Sequence, residues 1–314
     1  MADIDEIDLR SLTRAQLMRH ARSEVWAILP DVLRAALLNF SGESIVEPPS
    51  GQTHGAAPIE REAVTRPGPK SGRLARVPIF GSITHRDSFW SMLFGSGVSV
   101  ERLTRTLRDL GADPSISTVL LEIDSPGGTV SGMPELAAEV RALAEQKHVV
   151  ALANAQAASA AYWLASQADE VIATPEALVG SIGVFTIHED YSAMMEKMGV
   201  KVTYISAGKY KTEVSPDQPL NDEARAHLQE IVDDAYGLFV GDVARGRGVS
   251  PSVVRSEYGQ GRMLTAAAAK AAGLIDRVAT ADETIRRLVK TRAAEIEGKR
   301  LALLRRRLEL AEKI

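Results

Sequence analysis

Ser159 stands as the only hydroxyl in the small-residue run Ala157-Ala158-Ser159-Ala160-Ala161. Little steric bulk there keeps a carbonyl group from reaching it. The run follows the apolar stretch Val149–Ala153 and opens a helix-like segment, so a reacting oxygen at Ser159 would feel the positive end of a helix dipole. Close helix packing uses the same small residues, and the run alone does not decide between the two. Asp124-Ser125-Pro126-Gly127-Gly128 ends a second apolar stretch, Thr118–Ile123. Glycine permits positive φ, so such a turn can aim consecutive backbone N–H groups at the anion that develops during acyl transfer. A plain strand-to-helix turn has the same composition.

A serine nucleophile needs a base. Cysteine is absent, which excludes disulfides, thiolate catalysis and cysteine-based metal sites. The six histidines (His20, His54, His85, His148, His188 and His227) sit in no arrangement that suggests a triad. A lysine does the same work where burial disfavours its charged form. Gly208-Lys209-Tyr210-Lys211 offers two, and their shared parity in an extended chain leaves the choice between Lys209 and Lys211 open. Ser181, in Gly180-Ser181-Ile182-Gly183, is a further hydroxyl suited to orienting a neutral lysine. Ser206-Ala207-Gly208-Lys209 fits the Ser-x-x-Lys pattern of β-lactamases, but Gly208 and Tyr210 are poor helix material and the companion Ser-Asp-Asn and Lys-Thr-Gly motifs are missing.

The elements that must position these groups divide the 314 residues into four parts. Residues 1–40 carry helical spacing in Leu17, Val25, Ile28, Leu29, Val32, Leu33 and Leu37, broken before Pro30, which predicts two short helices. In residues 41–72, 10 of 32 are Gly or Pro, so this stretch reads as a linker without regular structure. From 73 to 289 short β-rich runs alternate with amphipathic helices. Strands are predicted over Ala75–Phe80, Thr118–Ile123, Val149–Ala153, Glu170–Ala173, Ser181–Thr186 and Lys201–Ile205. Helical stripes run through Val100, Leu103, Leu107 and Leu110, through Leu136, Val140 and Leu143, and through Leu228, Ile231, Ala235, Leu238 and Phe239. This alternation predicts an α/β domain of βαβ units with a mainly parallel sheet. Residues 290–314 read as a basic C-terminal helix; from Ile285 onward the chain carries ten Lys and Arg against four Glu, a solvated face or a contact for an acidic partner.

Composition narrows the class. At 45% hydrophobic and 25% charged, with net charge −4, the chain is neither disordered nor a general polyanion binder. Its acidic start lacks the basic and apolar regions of a secretory signal, and no apolar run approaches the roughly 20 residues that span a bilayer. A soluble intracellular protein is expected.

Taken in order, DSPGG, AASAAYWLAS, VGSIGV, ISAGKYKTEVSP and GQGRMLTAAAAKAAGLID resemble the signal peptide peptidase A (protease IV) family of serine peptidases, over about residues 75–280. The resemblance implies the α/β spiral of the Clp protease and crotonase group. It assigns Ser159 as nucleophile and Lys211, 52 residues later, as general base, passing over Lys209. It makes Ser181 the partner that orients the lysine and gives the oxyanion site to the amides of Gly127, Gly128 and Ala160. One departure is visible: the family's Gly-Gly after the serine is Ala160-Ala161 here. Trp26-Ala27-Ile28-Leu29-Pro30 ahead of a Pro/Gly-rich stretch is similar to phage-encoded members that act as capsid assembly, or head maturation, proteases on scaffold, portal or themselves. A ring-like homo-oligomer and polypeptide substrates are implied, with no metal or other cofactor and no membrane span. Nucleic acid enters only through the basic tail, if at all. The rival readings are a cellular peptidase that degrades signal peptides, a crotonase-type acyl-CoA enzyme, which would not need Lys211, and a non-catalytic capsid scaffold protein.

Overall fold

The computed structural model describes residues 24–39, 60–62, 73–86 and 97–289. Along the chain, β1 (Trp26–Ile28) leads into α1 (Pro30–Asn39), and β2 (Glu60–Glu62) precedes β3 (Arg73–Phe80) and β4 (Ser82–Thr84). β5 (Gly97–Ser99), α2 (Val100–Ala112), β6 (Ile116–Ser125), β7 (Gly127–Thr129), α3 (Met133–Ala144), β8 (His148–Ala158) and α4 (Ala160–Ala165) follow. Then come β9 (Glu170–Ala173), β10 (Leu178–Gly180), α5 (Ser192–Lys197) and α6 (Asp222–Arg247). α7 (Pro251–Glu257), β11 (Met263–Thr265), α8 (Ala266–Ala272) and β12 (Arg277–Val278) close the list, with helical residues 281–289 after them.

The larger sheet is mixed but parallel at its centre. Its order is β11-β10-β8-β6-β3-β2, with β9 also on β8 and β12 on β9. β3, β6, β8, β9 and β10 pair in parallel, whereas β2 and β11 add antiparallel edges. Central parallel strands are covered on both faces, which is why β6 carries Val119, Leu120, Leu121 and Ile123 without alternation, all buried. A smaller sheet, β1-β7-β4-β5, stands beside it. The chain passes from one sheet to the other between β6 and β7, at Pro126.

The crossover helices follow their sequence signals. α2 starts at Ser99, whose Oγ accepts from the Arg102 N–H (3.3 Å), and buries Val100, Leu103, Leu107 and Leu110. α3 buries Leu136, Val140 and Leu143. α6 is capped by Asn221, which accepts from the Ala224 N–H (2.8 Å), and stops at Gly248 in the left-handed region. Its expected stripe is only half covered: Ala235 and Phe239 are buried, but Ile231 and Leu238 are exposed.

Four expectations need correction. Residues Trp26–Ile28 form a strand, not a helix, because β7 offers them an antiparallel ladder; the helix beginning at Pro30 is formed as the spacing predicts, Pro being suited to a first helical turn. Within the stretch read as linker, Glu60–Glu62 pairs with β3. Ser181–Thr186 is not a strand: the ladder ends at Gly180, Ser181 has positive φ, and among the described residues one bridge, Trp26 to Phe185, is all the pairing that follows. Lys201–Ile205 alternates in sequence yet, among the described residues, has no neighbouring strand to receive its N–H and C=O groups. Residues 1–23 and 290–314, on which the rest of the first predicted helix and the predicted basic C-terminal helix fall, lie outside the described residues.

The end of the domain is fastened to β9 and α6 through Asp276. Its carboxylate accepts two hydrogen bonds from Arg247 (2.9 and 2.7 Å) and one from the Val171 N–H (2.7 Å). Burial opposes its charge, but these donors outweigh it and hold the carboxyl below its ordinary pKa. A group depressed in the folded state stabilises above its unfolded pKa of about 4, and the contribution disappears as pH falls through the folded value. Asp276→Asn is therefore expected to lower the unfolding free energy at pH 7 and to flatten its decline below about pH 4. Urea titrations at pH 7 and pH 3 check this; a variant as acid-sensitive as the parent would contradict it.

Candidate active site

Ser159 occupies the junction between β8 and α4. Its φ of 54° and ψ of −117° put it in a region that L-residues avoid, and Ser181 has φ 53°. Such conformations cost about 1–3 kcal/mol each and persist only where the surroundings hold them. At Ser159 the holding groups are explicit. Its N–H donates to Gly180 O (2.7 Å), its carbonyl accepts from the Trp163 N–H (2.9 Å), and Oγ donates to Gly183 O (3.3 Å). The Ser181 N–H donates to Arg262 O (2.9 Å). The β10 end that carries Ser181 thus also holds Ser159, so the two serines singled out in the sequence share one neighbourhood. Ser159 has 0% of its surface exposed and Ser181 has 7%.

The helix behind Ser159 is rigidly seated. Trp163 stacks on Phe239 with ring centroids 4.5 Å apart, and its Nε1 donates to the buried carboxylate of Asp242 (2.9 Å). Asp242 also accepts from Arg141 (3.1 Å) and Arg245 (2.6 Å). Ala160 is the first residue of α4, so its N–H has no acceptor within the helix.

The two glycines differ in what they do. Gly127 (φ 101°) donates its N–H to Ser125 Oγ (3.2 Å), which engages one of the three amides assigned to the oxyanion site. Both positions exclude a side chain. A methyl on Gly127 would lie 2.2 Å from Ala27 O and 3.0 Å from Ala158 O; one on Gly128 would lie 1.6 Å from Ile83 O.

Lys211 stands apart. It lies on an exposed turn, and among the described residues its side chain makes no hydrogen bond or ion pair, with Ser159 or any other group. No residue from 183 to 223 is buried. Within this arm Met194, Val200, Val202, Tyr204 and Tyr210 are each about half exposed, Met198 more so, and Ile205 is fully exposed. Lys209 is engaged: its Nζ bonds Tyr210 Oη (2.7 Å) and Glu223 (3.1 Å), and these bonds raise its pKa. A cleft of about 620 Å³ opens beside the serines, lined by Ile28, Pro30, Ser181, Gly183, Phe185 and Tyr236 among others. Sequence reasoning missed Gly183 O and the whole of β1. Among the described residues no group of three or more His, Asp and Glu stands ready for a metal ion, and no helix is long and apolar enough to cross a membrane.

Comparison with known proteins gives the family. Peptidase family S49 matches residues 141–295, which include both serines and both lysines. A "Putative protease" of Synechocystis sp. is 31% identical over 211 residues, 67% of this chain and 71% of the relative. The chain belongs to peptidase family S49. A "Putative protease" of Methanocaldococcus jannaschii is 37% identical over 182 residues, 58% of each chain. Capsid assembly protease C of Escherichia phage lambda is 30% identical over 244 residues, 74% of this chain and 55% of that protein. The chain thus spans little more than half the length of two of these three relatives.

Steric closure at the glycines gives a test with an internal control. Gly128→Ala is expected to destabilise the protein by about 1–3 kcal/mol, the usual cost of overpacking. Gly237→Ala, in mid-α6 with nothing within 4 Å of the new methyl, should stabilise by about 0.5–1 kcal/mol. Thermal unfolding of both variants measures the difference; a Gly128→Ala protein as stable as the parent would mean the three backbones do not converge as described.

Proposed function

We propose that this chain is a serine endopeptidase that hydrolyses peptide bonds through an acyl-enzyme, with Ser159 as nucleophile and Lys211 as general base. The observation that carries the reading is Ser159 itself: a serine held in a strained conformation at a strand-to-helix junction, beside a glycine turn and the first amide of a helix. In the reaction an uncharged Lys211 Nζ takes the Oγ proton as Oγ attacks the scissile carbonyl. The amides of Gly128 and Ala160 hold the oxyanion, Nζ passes the proton to the leaving amine, and water repeats the sequence to release the acid. Ser181 orients the lysine. The spiral of the Clp protease and crotonase group is the fold that fits this use of the β6–β7 turn.

Lys209 suits the role poorly, because its bonds to Tyr210 and Glu223 favour the charged form. Among the described residues Lys211 has no such partner, and no hydrogen bond joins it to Ser159 within one chain. Exposed apolar surface on the arm is what a covered interface would require. We therefore read the enzyme as a homo-oligomer in which assembly brings Lys211 to a serine and buries it, lowering its pKa. The similarity to the lambda capsid assembly protease covers 74% of this chain and supports a role in phage head maturation, with polypeptides of the assembling capsid as substrates.

Ser159→Ala and Lys211→Ala should each abolish casein hydrolysis with the fold intact, while Lys209→Ala loses less than about tenfold, the scale of one weak contact. An equal loss at Lys209 would reassign the base. Mixing the inactive Ser159→Ala and Lys211→Ala proteins, assembled together, tests the oligomer directly. Recovered activity supports a dyad shared between copies, and none places the closing movement within one chain.

A further inference from the structure

The nucleophile has no exposed surface, and the chain's own β1 lies against the glycine turn next to it. Odd and even residues of the segment face opposite ways. Toward β7, the Val130 N–H donates to Val25 O (2.9 Å) and the Leu29 N–H to Pro126 O (3.0 Å). Toward the other side, Trp26 exchanges both bonds with Phe185, N–H to O at 2.8 and 3.0 Å. Val25–Leu29 is thus an extended strand laid between β7 and the segment that follows Ser181, paired through its main chain on both sides. Added strands of this kind are how sheet edges bind peptides, main-chain bonds supplying affinity and alternate side chains specificity.

The register says which bond is presented. Bonded pairs alternate along an antiparallel ladder. With Val25 opposite Val130 and Leu29 opposite Pro126, the bonded pair midway is Ala27 with Gly128, which the pairing register also places opposite each other. The Gly128 N–H, a donor of the proposed oxyanion site, therefore faces the Ala27 carbonyl. The Gly127 geometry agrees, because Ala27 O and the carbonyl before Ser159 flank the same point, 2.2 and 3.0 Å from it. On the far side of that carbonyl, Ile28 and Pro30 line the open cleft shared with Ser181.

We propose that Val25–Leu29 occupies the peptide-binding groove as a substrate does, and that Ala27–Ile28 is the chain's own cleavage site. The inference rests on the peptidase reading. Ser159 Oγ adds to the Ala27 carbonyl carbon, the C–N bond to Ile28 breaks, and the Oγ proton passes through Lys211 to the Ile28 nitrogen. Water then hydrolyses the Ala27 ester, regenerating the hydroxyl and leaving a chain that begins at Ile28. Until that cut the strand excludes other substrates.

Full-length protein, its Ser159→Ala form and its Lys211→Ala form are purified and followed by intact-mass and terminal-peptide mass spectrometry, with casein hydrolysis and fluorophosphonate labelling in parallel. The expected result is loss of residues 1–27 from the parent, with complete retention in both variants, and labelling of Ser159 that rises as the cut chain accumulates. A parent that hydrolyses casein and labels at Ser159 while keeping Ala27–Ile28 intact overturns this inference and leaves the peptidase reading standing. A Ser159-dependent cut at another bond, or the same cut in Ser159→Ala, overturns it too. A parent that neither labels nor hydrolyses casein removes both.

Discussion

Three backbones come together at Gly127–Gly128 with no room for a methyl group. β1 lies against one side, the end of β8 against another, and β4 against Gly128. Only glycine leaves the main chain free to approach so closely. The same closeness lets an amide of the turn between the two sheets reach a carbonyl on a neighbouring strand. The small sheet exists around this point: β7 is three residues long and pairs with β1 on one side and β4 on the other.

From that point the strain at Ser159 becomes intelligible. A positive φ at a serine is unfavourable locally, so the cost must be offset by packing that no alternative conformation retains. Every residue of α4 is buried, its Trp163 is clamped by Phe239 and Asp242, and Ser159 is tied to Gly180 and Gly183. Asp242 deserves its place in this account because a buried carboxylate needs partners. It has three, and one of them is the indole of the helix that begins just after Ser159. Packing energy from the core is thus delivered to a single torsion at the site.

Much of this was legible in the residues. The stripes of α2 and α3 and the strands β3, β6, β8 and β9 follow from periodicity because each has its partner inside the domain. Ser159, Ser181 and the glycine turn stood out as types and spacings, and the structure brings them into one neighbourhood. What failed has a common cause. Trp26–Ile28, Ser181–Thr186 and Lys201–Ile205 each depend on a neighbour that local sequence does not name. For the first it is β7, for the second a single bridge to Trp26, and for the third no strand among the described residues. Local patterning records which face of an element is apolar, not which distant backbone will meet it.

The two halves of the proposed dyad sit on opposite extremes of packing. Ser159 belongs to the most tightly held part of the chain, whereas Lys211 lies on forty-odd consecutive residues of which none is buried. The proposed mechanism needs an uncharged amine, and what disfavours a lysine's charge is removal from water. Activation then requires burial, and burial of the arm requires a surface to cover Ile205 and its apolar neighbours. On this reading the base is coupled to assembly: the same contact that desolvates Nζ delivers it to a serine. A protease that must not act before its compartment is built would gain from that coupling. If β1 fills the groove as proposed, it adds a second, independent barrier on the Ser159 half of the site.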